Sequence, residues 1–135
     1  MSHPKFKVLN YGFANITSED SVLVKELPMQ QLFRDRTVYA FSYVIAQNSF
    51  GVKPKYLDTG NKDLELDLKL GRNYKLITRQ DLTAGNFKKE DLNDKIVLLG
   101  YIGEKEDFFY LDKEKKKKIK GVEIQAAIID EIIHL

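Results

Sequence analysis

The sequence predicts an α/β fold, a mixed sheet with a β-hairpin and a central buried strand, and helices packed on that sheet. Three observations carry this expectation. Leu64, Leu66, Leu68 and Leu70 alternate with Glu65, Asp67 and Lys69, the period of a half-buried strand. Residues 95–102, Lys-Ile-Val-Leu-Leu-Gly-Tyr-Ile, form an almost unbroken apolar run of strand length, the pattern of a strand covered on both faces. Residues 121–135 place Glu123, Asp130, Glu131 and His134 in one arc of a helix, with isoleucines, Val122 and Ala126 filling the rest.

Taken in order, residues 6–16 read as a strand through Phe6, Val8, Tyr11 and Phe13. The polar turn Thr17-Ser18-Glu19-Asp20 and a second strand over 22–27 make the hairpin, which Pro28 closes. Residues 37–47 are almost wholly apolar, and with Asp35 placed as cap they predict a buried helix ending near Asn48. Gly51 and Pro54 mark the following loop. After the Leu-alternating strand, Gly71 ends the element and a short strand is expected over 74–77. Thr78 with Asp81 three residues on resembles a capping box and predicts one or two helical turns closed by Gly85. Residues 86–94 are a polar connection, 95–102 the central strand and 122–134 the last helix. In that helix Gln125 falls inside the apolar arc, so its amide requires partners.

The chain has 135 residues, of which 43% are hydrophobic and 31% charged, with 8 Phe and 7 Tyr. That suits one domain over residues 1–135 and argues against disorder or a fibrous chain. With no Cys, disulfide scaffolds, thiolate metal sites and thiol nucleophiles are excluded, and no metal or cofactor is expected. The net charge of +2 is unevenly spread, because residues 113–120 carry six Lys and one Glu and leave the remainder net acidic. No apolar run approaches the length of a membrane span, and the polar start of the chain does not read as a signal peptide, so a soluble piece is expected.

In sequence, several segments resemble the C-terminal part of the CHASE2 sensor domain. Residues 94–103 (DKIVLLGYIG), Asp107-Phe108-Phe109 and residues 120–129 (KGVEIQAAII) are similar to that family's "KIVLLG" strand, Asp-containing loop and "GVxIHAN" helix. Gly12-Phe13-Ala14-Asn15 with Asp20 and the strand after it looks like the family's "GFxN…D…VR" hairpin, and Tyr39-Ala40-Phe41-Ser42 falls where its "SFAL" helix begins. The resemblance covers about residues 8–134. Gln125 and Ala127 stand where the family usually has His and Asn, and Tyr110-Leu111-Asp112 replaces its Thr-Pro. It implies a non-catalytic, extracytoplasmic sensor of a bacterial membrane receptor. Transmembrane segments and an output domain would follow the last helix, the signal would be a small molecule or a protein, and homodimerisation is compatible with it. The alternative is a structural or dimerising ectodomain with no small-molecule ligand.

Candidate residues are few. Nucleophilic catalysis needs a base, and the two histidines are His3, in a polar tail, and His134, on the solvent arc near the end of the last helix, so no enzyme is expected. Gly100-x-x-Gly103 has the spacing of a phosphate loop, but Glu104, Glu106 and Asp107 would repel an anion, which leaves the glycines as strand-end turns. Asp107 is either a turn residue or part of a pocket at the carboxyl end of the central strand, where open α/β sheets bind ligands. The candidate ligand site is therefore Gly100, Tyr101, Gly103, Asp107 and Gln125. The lysine run, lacking aromatic or Arg readout residues of its own, reads as a solvated loop with residual attraction to anionic membrane surfaces; no nucleic-acid partner is expected.

Overall fold

A computed structural model describes residues 12, 14, 16, 18–23, 26–50, 63–65, 74–103 and 105–134. In chain order the elements are β1 (Ser18–Glu19), β2 (Val22–Leu23), β3 (Glu26–Pro28), β4 (Gln30–Phe33), β5 (Arg36–Tyr39), α1 (Phe41–Phe50), β6 (Asp63–Glu65), α2 (Arg79–Ala84), β7 (Phe108–Tyr110), β8 (Lys118–Lys120) and α3 (Gly121–Ile133), with a 3-10 turn at Lys89–Asp91. The fold class is α/β. A mixed four-stranded sheet runs β1-β2-β7-β8, antiparallel except for the parallel β2–β7 pair, and two antiparallel two-stranded ribbons, β3–β6 and β4–β5, accompany it.

The core lies where α1 meets α3. Ile124, Ile128 and Ile132 recur every four residues, one stripe of the helix, and they pack with Tyr43 and Ala46 of α1 and with Leu23, Leu27, Met29, Ala40 and Ile119 from the strands and their flanks. The last helix matches its sequence pattern closely. Glu123 and His134 are exposed, whereas Asp130 and Glu131 are half-buried on the same arc. Asp130 and His134 pair across one helical turn, 3.1 Å from carboxylate to ring nitrogen.

Helix α2 is capped as its sequence predicts. The Thr78 hydroxyl oxygen accepts the Asp81 N–H at 3.1 Å and the hydroxyl donates to the Asp81 carboxylate at 2.8 Å, while Gly85 closes the helix at φ 73°. Thr78→Ala should therefore cost about 1 kcal/mol, with lost amide protection confined to residues 79–85 as the signature of a local cap.

Three expectations are corrected. Residues 95–102 are not a central strand. They are irregular, with Leu98 half-buried and Ile96, Val97, Leu99 and Tyr101 exposed, Leu99 at 92%. The parallel neighbour of β7 is β2, and among the described residues no strand pairs with 95–102, so its N–H and C=O groups have no ladder to join. The helix expected over 37–47 begins later, at Phe41, because Thr37, Val38 and Tyr39 lie in β5. Arg34 and Asp35, at φ 48° and 60°, form a two-residue hairpin turn to β4 instead of a helix cap, and β-branched Thr37 and Val38 suit the pleat. Residues 74–77 are irregular where a short strand was expected.

The first hairpin turns later than expected, Ser18 and Glu19 lying in a strand where the polar turn was placed. β1 and β2 close around Asp20 and Ser21, both at positive φ, and of the expected second strand Val22–Leu23 is β2 and Glu26–Leu27 lies in β3, while residues 24 and 25 lie outside the described residues. Of the expected first strand, residues 6–11, 13 and 15 lie outside the described residues, and Gly12, Ala14 and Ile16 are irregular rather than strand; of the Leu-alternating strand, residues 66–70 lie outside the described residues and Leu64 and Glu65 are strand, in β6 paired with β3. Gly12 passes within 2.8 Å, by the position its Cβ would take, of the Phe41 nitrogen and the Tyr39 carbonyl, a closeness that only glycine permits. That contact sets Gly12 against the start of α1.

Candidate functional site

The N-terminus of α3 gathers most of the sequence-predicted residues. β8 runs into α3 without an intervening residue, Lys120 being both the last strand residue and the helix N-cap. A helix start leaves its first N–H groups unpaired. The Asp107 carbonyl accepts the Gly121 N–H at 2.9 Å, and the Glu123 carboxylate accepts the Lys120 backbone N–H at 3.0 Å. Asp107 adopts φ 51°, a left-handed conformation that Asp tolerates, and its carboxylate lies against Gly121. Two negative groups thus occupy the positive end of the helix dipole, so a phosphate approaching this helix would meet the chain's own carboxylates.

Gly100 backs onto Val122. A Cβ at position 100 would overlap the Val122 Cβ, so the glycine permits close approach, and its φ is not in the left-handed region. This replaces the reading of Gly100 as a strand-end turn. Gly103 lies under the ring of Tyr101, and its carbonyl accepts a hydrogen bond from the Lys120 ammonium. Gly100, Tyr101, Gly103 and Asp107 therefore converge on the first turn of α3. Tyr101 is largely exposed, and Glu104 lies outside the described residues.

Gln125, one turn along α3, takes other partners. Its amide oxygen accepts the Ser42 hydroxyl and its amide nitrogen donates to the Ala14 carbonyl at 3.1 Å. Its requirement for partners is met by α1 and the N-terminal segment, not by the 100–107 loop. Ser42 is 1% exposed and is the buried polar residue of this interface. Sequence reading singled out Gln125 but neither partner, because a Ser in an apolar helix and a backbone carbonyl 111 residues away carry no local signal.

A second cluster was missed in part. The lysine run reads as loop throughout from its composition, yet Lys118-Ile119-Lys120 is β8, with Ile119 buried and the lysines turned away from the core. The signal was the lone apolar residue between two lysines, a period-2 pattern too short to stand out from the charge around it.

Among the described residues no group of three His, Asp or Glu side chains is gathered to hold a metal ion, and no helix is long and apolar enough to cross a membrane. An open recess on α2 is lined by Arg79, Gln80, Thr83 and Ala84, none of them a sequence-predicted site residue. Comparisons with protein-family models, with curated proteins and with solved structures each found no match.

Proposed function

We propose that the chain is a non-catalytic sensory or signal-relay module of the CHASE2 kind, held outside the cytoplasm as part of a bacterial membrane receptor, with α3 as its output element. The observation that carries this reading is the placement of Gln125. The α1–α3 interface is otherwise packed from apolar side chains, and one side-chain amide ties α3 at once to Ser42 of α1 and to Ala14 of the N-terminal segment. Apolar packing tolerates small slides of one helix along another, whereas a hydrogen-bonded pair in such a seam fixes one register. A signal that shifts the N-terminal segment or the 100–107 loop would therefore be felt by α3 through this amide and through the Gly100–Val122 contact. The signal is a small molecule or a protein, and the recipients are transmembrane segments and an output domain beyond α3.

The experiment is amide hydrogen exchange over residues 121–133, with and without a candidate ligand mixture, in the parent and in Gln125→Leu. Protection in the parent should change with ligand, and the change should vanish in the variant. Identical protection under all conditions would overturn the relay. The second reading, a structural or dimerising ectodomain, is favoured by one feature, the exposed apolar run around Leu99. Concentration-dependent sedimentation together with unresponsive α3 protection would support it.

A further inference from the structure

We infer that the outer face of the β7–β8 hairpin is a docking surface for a linear polyanion with phosphate repeats. Register places Phe108 opposite Lys120 and Tyr110 opposite Lys118, while Phe109 pairs with Ile119, which is buried in the core. Alternation therefore puts Phe108, Tyr110, Lys118 and Lys120 together on the face turned away from the core. The two rings meet edge to face at 5.6 Å. The Lys118 ammonium sits 4.4 Å from the centroid of Phe108 and 5.9 Å from that of Tyr110, Lys120 lies 5.6 Å from Phe108, and Lys115 lies 5.6 Å from Tyr110. Cation–π attraction thus seats three ammonium groups around a pair of rings.

Charge on this hairpin is poorly answered by the chain itself. Lys115 pairs with Asp20 at 3.2 Å and Lys116 with Glu114 at 2.9 Å, both exposed and therefore weak. Among the described residues Lys113, Lys117 and Lys118 have no carboxylate within ion-pair distance. Like charges concentrated on a small ribbon repel one another and attract polyanions. Lys120 already donates to the Gly103 carbonyl and Lys115 to Asp20, whereas the Lys118 ammonium, seated over the rings, keeps its remaining protons for phosphate oxygens.

The same geometry selects among polyanions. Single-stranded nucleic acid is held by bases stacked on free aromatic faces, and here lysines cover the rings. Membrane interfaces take up free aromatic rings in the same manner. In addition, on the proposed reading that α3 leads towards a membrane, its 13 residues set the hairpin about 20 Å from that end. This second argument alone rests on the proposed function. A flexible phosphate chain needs neither free rings nor a flat surface.

The test is binding of medium-chain inorganic polyphosphate to the whole chain. Affinity should fall linearly with log salt, with a slope of about −2 for three engaged phosphates. The variant Lys115→Ser/Lys117→Ser/Lys118→Ser should bind at least about tenfold more weakly while melting like the parent, whereas Lys88→Ser/Lys89→Ser/Lys95→Ser, an equal loss of charge elsewhere, should change affinity less than about twofold. Equal weakening in both triple variants would overturn the proposal. So would tighter lysine-dependent binding to oligo-dT of matched charge, which would indicate base stacking, or to phosphatidylglycerol vesicles, which would indicate a membrane surface. Lysine-dependent polyphosphate binding that leaves α3 protection unchanged would uphold the docking face while counting against the relay.

Discussion

Ile124→Ala is expected to remove about 3 to 4 kcal/mol of stability, measured by urea unfolding with an unchanged m-value. Ile124 is 0% exposed and sits in the stripe that α3 presents to α1, with Ile128 and Ile132 continuing it and Tyr43 and Ala46 opposite. Truncation there loses the transfer energy of the removed carbons and leaves a void between two helices that also anchor strands and cannot close freely. For a domain of this size the loss is a large share of the net stability. Leu99→Ala, at a position 92% exposed, is expected to change stability by less than about 0.5 kcal/mol. A central strand over 95–102 would demand a large loss at Leu99, so the Leu99 variant decides between the two arrangements.

Ser42→Ala should cost about 1 to 2 kcal/mol, and Ser42→Ala combined with Gln125→Leu should cost less than the sum of the single changes by about 1 kcal/mol. Removing the hydroxyl alone leaves the Gln125 amide oxygen without its donor at the edge of a packed interface. Removing the amide alone leaves the buried Ser42 hydroxyl without its acceptor, since Ser42 opens α1 and has no helical turn before it to turn back to. The double variant strands neither group of the pair, although the Ala14 carbonyl still loses its donor. Strict additivity in this cycle would mean that the bond contributes nothing, and the register argument for α3 would fall with it.

How far the fold was legible depended on whether a signal was local. The cap at Thr78, the stop at Gly85 and the stripe of α3 are set by residues within one or two helical turns, and they stand where the sequence places them. The apolar run 96–102 was different. Its composition states what would be favourable to bury, but a strand exists only when neighbours supply a ladder, and that is decided far away in the chain. The stretch 37–47 failed at its start for a related reason. Its hydrophobicity suits helix and strand alike, and the Arg34-Asp35 turn, built from two non-glycine residues at positive φ, gives no Asn-Gly or Asp-Gly signature. At the candidate site, Gly100, Tyr101, Gly103 and Asp107 share one loop and so stand together, but their meeting with α3 across the β7–β8 hairpin, like the partners of Gln125, required tertiary structure.

The seam at Lys120, where β8 becomes α3 without a connecting residue, has a mechanical consequence. Ordinary strand–helix junctions contain a few residues whose torsions absorb a change of angle, and here there is one residue, at φ −80° and ψ 148°, flanked by a paired strand and a helix already hydrogen-bonded to Asp107. Such a joint has almost no play. A tilt of α3 is therefore coupled to the β7–β8 ribbon through the first helical turn, where few torsions are free to absorb it.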